Sequence, residues 1–240
     1  MKILKLLFII FIFITPVKAN TIYNLTQIPN LEIYELNTSN NLNYLYALKP
    51  FRLGVEKNIS CFSSEKDILE KKHTIIKKNL DRYSKEFLKK ISLKYLVMCQ
   101  DLSISGINTA GIPNNIMKTL IIDVKFNEKY FERVIHHEVF HLINDSNKLL
   151  FNEDEWHSYN VKDFKYADCS TCTDKLGLDT YSNTEGFFTE YSKSTASEDM
   201  AEVFSHLMTG KYEFKNDIIL SKKIKFIKEN IAKIDNNFQF

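Results

Sequence analysis

The run from Tyr130 to Ile143 is apolar enough to be a buried helix, yet it carries His137, Glu138 and His141. Polar groups held inside such a helix need partners. Residues four apart lie one above the other on a helix, so both imidazoles can face one point while Glu138 sits beside it. Neutral imidazoles are good zinc ligands, and zinc with one open position lowers the pKa of a bound water toward about 7, where a carboxylate can take its proton. The spacing therefore predicts His137 and His141 as ligands of one zinc ion per chain and Glu138 as general base. Asn127 is the expected cap of this helix, Asn144 and Asp145 its polar stop, and Thr119 to Val124 the strand that leads into it.

Catalytic zinc takes three protein ligands as a rule, so one more must come from elsewhere. The metzincin pattern places a glycine and a histidine after the second histidine; Asn144 and Asn147 stand there, which excludes that class. Glu198 and Glu202 share one face of a helix predicted over Glu198 to Leu207, where one carboxylate could bind metal and the next orient a ligating histidine. His157 is the competing third ligand.

The N-terminus reads as a secretory leader: Lys2 and Lys5, an apolar core from Leu6 to Ile14, and Val17-Lys18-Ala19 as cleavage site. That core is too short to span a bilayer. Residues 20–240 then form a single exported domain, secreted or periplasmic, with an upper part to about residue 144 and a lower part beyond it. Without Lys2, Lys5 and Lys18 the 32 basic residues fall to 29 against 30 acidic ones, which gives no basis for a nucleic-acid partner. An even number of cysteines in an exported chain favours disulfides, expected here as Cys61 with Cys99 and Cys169 with Cys172.

Apolar residues at helical spacing predict one long helix over Ser64 to Ile91 and a terminal helix over Ser221 to Ile234; Leu31 to Tyr34 and Leu93 to Cys99 read as strands. If the resemblance of His137-Glu138-x-x-His141 to zincins extends to the strand before the metal helix, an exposed edge for an extended peptide is expected at either Ala110 to Ile112 or Leu120 to Val124.

Taken together, His137-Glu138-x-x-His141, Gly186-Phe187-x-x-x-Tyr191-Ser192 and Glu198-Asp199-x-Ala201-Glu202-x-Phe204 resemble a bacterial zinc-binding metallopeptidase family. More distantly they resemble the catalytic domain of anthrax lethal factor and the Pro-Pro endopeptidases. The resemblance covers Ser64 to the C-terminus. It implies an α+β zincin-like fold of the gluzincin type, with a small twisted sheet and the metal helix above and a mainly helical part below. It further implies Glu198 as third zinc ligand, Glu202 as the carboxylate behind a ligating histidine, and Tyr191 as a hydroxyl stabilising the oxyanion. The expected activity is hydrolysis of peptide bonds in an extended polypeptide by a monomer that needs no membrane after leader cleavage. A zinc amidase acting on cell-wall peptides would share every ligand, and a non-catalytic zinc-binding protein would have little use for Glu138.

Overall fold

The computed structural model describes residues 28–210 and 216–240; the leader and its cleavage point lie outside them. At the centre of the sheet, β5 (Tyr95–Ile104) runs parallel to both β2 (Asn43–Ala47) and β8 (Thr119–Asp123). On the outside, β1 (Leu31–Glu35) pairs antiparallel with β2, and β7 (Gly111–Asn114) antiparallel with β8. Every position of β8, Thr-Leu-Ile-Ile-Asp, is buried, as a strand covered on both faces requires.

Beyond Gln100, β5 leaves this sheet and pairs with β4 (Ile59–Phe62) and β6 (Ile107–Asn108), while β4 also pairs with β3 (Phe51–Leu53). The changeover falls at Asp101, which has φ 53°, and the Asp123 carboxylate accepts the Asp101 and Leu102 amides there. Side chains alternate across the strands. Leu96, Met98, Leu120 and Ile122 therefore join the large core under the helices, whereas Val97, Cys99 and Ile121 join a smaller core with Leu45, Phe51 and Cys61. The Cys61–Cys99 disulfide crosses that smaller core, and Cys169–Cys172 closes a tight turn, so no cysteine is free.

Among the described residues no strand follows β8; helices and turns make up the rest, giving a mixed α+β fold. The long helix expected over Ser64 to Ile91 is instead two, α1 (Lys66–Leu80) and α2 (Lys85–Lys90). The break lets Ser84 cap α2 by accepting the Phe87 amide and turns Tyr83 inward, where its hydroxyl meets His136 Nδ1 at 2.6 Å. α3 (Phe131–Ser146) begins about one turn after Asn127, whose Oδ1 accepts the Lys129 amide in a turn instead of capping the helix. After the short α4 (Glu153–Ser158) come α5 (Ala196–Thr209) and α6 (Ile218–Ile234). Thr195 caps α5 by accepting the Glu198 amide, and Gly210, at φ 64°, ends it in the left-handed region. No helix among the described residues is long and apolar enough to cross a membrane.

Candidate metal centre

α3 and α5 pack along one another, and their facing sides carry the polar residues. His137 Nε2 lies 2.8 Å from Glu198 Oε2 and 3.2 Å from His141 Nε2, and His141 Nε2 lies 3.3 Å from the same Glu198 oxygen. Bonds of about 2.0–2.1 Å at tetrahedral angles set ligand atoms roughly 3.3 Å apart. The triangle formed by His137, His141 and Glu198 thus has the size of one face of a zinc coordination sphere, and its two nitrogens and one carboxylate oxygen are donors that zinc favours. These three residues could hold a metal ion, and they are the one such group among the described residues.

The other nitrogen of His137 settles which atom is available. Nδ1 lies 3.0 Å from Glu202 Oε1, and because a carboxylate only accepts, Nδ1 donates, which leaves Nε2, facing the triangle, as the nitrogen that a metal ion could take in exchange for its proton. Thr189 donates to the second Glu202 oxygen at 2.9 Å, and the Arg133 guanidinium lies 3.7 Å from it. Burial alone would lower the His137 pKa, but hydrogen bonds to Glu198 and Glu202 outweigh it and push it up to about 10. Burial likewise works against the charge of Glu202, yet the His137 hydrogen bond and the Arg133 charge hold it down at about 2. Two ionised carboxylates meeting at one imidazole make a centre that draws in positive charge, whether a proton or a metal ion.

The Glu138 side chain passes over Gly111 of β7, which has no side chain to obstruct it, and feels the charges of His137, His141 and Glu198. A Cβ on Gly111 would stand 2.6 Å from Glu138 Cγ and 2.9 Å from Cδ, so the glycine is required by close approach. Burial raises the Glu138 pKa, with the two histidines pulling the other way. Tyr191 opens a 3-10 turn, Tyr191–Lys193, and its ring centroid lies 5.8 Å from that of His137. Its phenol is held above its ordinary pKa by burial and then by the negative charge of Glu198 and Glu138. The turn is tied to the preceding loop at both ends, by the Tyr191 amide to Gly177 O at 2.9 Å and by the Ala167 amide to Ser194 O at 2.8 Å.

The structure thus gathers His137, Glu138, His141, Tyr191, Glu198 and Glu202 in one place. His157 does not join them: it is exposed on α4 with its ring against Tyr166 and Phe164, which removes it as a third ligand. His136 is a core residue between Tyr83 and Asn79, and burial lowers its pKa to about 3. His206 donates Nδ1 to Glu202 O and stacks on Phe188. Sequence reasoning missed Gly111, Thr189 and Arg133. Of these only Arg133 left a signal, standing four residues before His137 on the same helical face.

A family model described as "Putative zinc-binding metallo-peptidase" matches residues 41–238. No curated protein matches the chain. A solved structure from Bacteroides caccae ATCC 43185, titled as a putative zinc-binding metallo-peptidase, shares the fold at TM-score 0.51 and 17% identity, covering 84% of this chain and 81% of its own.

Proposed function

The chain belongs to the putative zinc-binding metallo-peptidase family, and on that premise we propose that it is an exported zinc-dependent peptidase acting on extended polypeptide. The observation that carries this reading is the His137, His141 and Glu198 triangle with a buried carboxylate, Glu138, next to it in sequence and in space. A zinc ion held there supplies a Lewis acid that polarises a carbonyl and makes water more acidic.

The chain's own residues supply the rest. Glu138, its pKa raised by burial, is the stronger base for that shift and takes a proton from the attacking water, then hands it to the departing amine. Tyr191 donates its phenol hydrogen to the oxygen that gains negative charge. Glu202 keeps the proton on His137 Nδ1 and so keeps Nε2 a ligand atom. For the substrate, β7 pairs only with β8 among the described residues, which leaves its outer edge for an extended chain to join beside Gly111 and Glu138. Of the two edges expected from sequence this favours the Ala110 to Ile112 segment, since Leu120 to Asp123 of β8 is interior. Export accords with two disulfides and a leader-like N-terminus.

The test is Glu138→Gln. One zinc per chain should remain while hydrolysis of a peptide library falls by about 10²- to 10⁴-fold. An active variant would remove Glu138 from the mechanism, and a wild-type protein that binds zinc but cleaves no peptide would leave only a binding protein.

A further inference from the structure

We propose that Arg133 is a positioning residue of the metal centre: it holds the Glu202 carboxylate against His137 and couples both to the segment 178–180. This rests on the reading of His137, His141 and Glu198 as zinc ligands.

Arg133 stands one turn before His137 on α3, so its side chain runs along the face that meets α5. It is 11% exposed and Glu202 is 3% exposed, so the two charges face each other nearly free of water. Arg133 Nε lies 3.7 Å from Glu202 Oε2, too long for a hydrogen bond, and the guanidinium acts there as a charge. Its two terminal nitrogens are anchored elsewhere. Nη2 donates to Leu178 O, and Nη1 meets Thr180 Oγ1 and His206 Nε2, each at 3.3 Å. His206 can accept because its Nδ1 already donates to Glu202 O at 2.8 Å. The guanidinium is therefore fixed by acceptors on the loop and on α5 while its charge faces Glu202.

A cavity of about 380 Å³ opens at the same place, lined in part by Lys129, Tyr130, Arg133, Thr180 and His206. An anion bound there would be the competing explanation for the arginine. Its Nη1 and Nη2 already meet Leu178, Thr180 and His206, the carboxylate nearest its Nε is Glu202, and Lys129 pairs with Asp179. Positioning accounts for each contact; anion capture accounts for none.

The consequence follows from the order of contacts. Glu202 orients His137 by accepting from Nδ1, and outer partners of this kind are worth about 10- to 100-fold in metal affinity. Without Arg133, the buried Glu202 carboxylate keeps only Thr189 and His137 as partners and relaxes from the position that aims the ring.

The test is zinc release from the full-length loaded protein into excess chelating dye, with thermal unfolding recorded alongside. Arg133→Gln should release zinc about 10-fold faster, within the range for outer partners. Arg133→Lys, which restores the charge, should recover at least half of that change on a logarithmic scale. In a Glu202→Gln background Arg133→Gln should add less than about twofold, because a residue acting through Glu202 has nothing left to act on. A purely structural role would give additive effects, and additivity, or wild-type release from Arg133→Gln, overturns the proposal. Should Arg133→Gln fail to fold, the same cycle is run with Arg133→Lys, and additivity there overturns it equally. A wild-type chain whose zinc content is unchanged by His141→Ala would overturn the metal centre itself and this role with it. A zinc site that depends on His141 and ignores Arg133 overturns this role alone.

Discussion

Glu198 and Asp199 are neighbours on α5, yet they serve opposite sides of it. The Asp199 carboxylate accepts from Lys223 at 2.7 Å, from the Tyr166 hydroxyl at 2.7 Å and from Trp156 Nε1 at 2.9 Å, with Asp199 and Lys223 side chains fully buried. Lys223 also donates to Gly186 O and lies over the Phe187 ring. That side is closed: the Asp199 charge is answered by Lys223 of α6, with further donors from α4 and the loop that follows it. On the other side, Glu198 and Glu202 meet two histidines, and among the described residues Arg133, facing Glu202, is the permanent cation paired with them. A buried charge answered by its own cation fastens the fold. Two carboxylates sharing one cation leave a deficit that a metal ion can fill.

The sharpest way to break this contrast is to remove one carboxylate from each side. Asp199→Asn leaves the buried Lys223 without its counter-charge and should cost about 3–5 kcal/mol of stability, measured by denaturant unfolding, with zinc content unchanged. Glu198→Ala should do the reverse, losing zinc while the metal-free protein unfolds near the wild-type midpoint. If Asp199→Asn lost zinc without losing stability, the two sides would not be separable.

Adjacent residues with such different duties show how far sequence carries. That His137 and His141 face one point was legible because one helix fixes their relation whatever surrounds it. Glu198 was within reach because its helix pattern and its resemblance pointed the same way. Asp199, one residue on, gave no sign of its role, since Trp156, Tyr166 and Lys223 come to it from separate segments that no local periodicity relates. Gly111 falls within the Ala110 to Ile112 edge expected from sequence, but that a carboxylate passes over it depends on how α3 lies on β7 and left no local signal. The break at Asp81 to Ser84 was hidden for the same reason: the apolar pattern runs on across it, and the inward turn of Tyr83 is decided by His136 on a distant helix.

Tyr191 sharpens the contrast, because it hangs on the closed side's loop and points to the open side. Tyr191→Phe keeps the ring and its packing against His137 but deletes the hydroxyl. Loss of a single oxyanion donor should lower kcat by about 10²- to 10³-fold with KM little changed, and zinc content and thermal stability should not move. A variant with near-normal kcat would assign Tyr191 to the closed side as packing.

The smallest effect belongs to the Cys169–Cys172 bridge, which lies on the loop connecting the two sides. Chain-entropy arguments scale a disulfide's contribution with the loop it closes. Cys61–Cys99, with a sequence separation of 38, should be worth about 4 kcal/mol on that scale, whereas Cys169–Cys172, with a separation of 3, should be worth under about 2 kcal/mol. The local loss should be smaller still in effect on the centre, because the loop is already pinned to the Tyr191 turn at Ala167 and Gly177 by backbone hydrogen bonds of 2.8 and 2.9 Å. Thiol titration of the unfolded, unreduced wild-type protein should find no free cysteine, and the Cys169→Ala/Cys172→Ala double variant should keep its zinc and lose at most a few-fold in kcat. A fall in kcat beyond tenfold with zinc retained would mean that the hydrogen bonds at Ala167 and Gly177 cannot hold the turn alone. The bridge would then belong with Tyr191 on the open side, and the loop would be part of what aims the phenol.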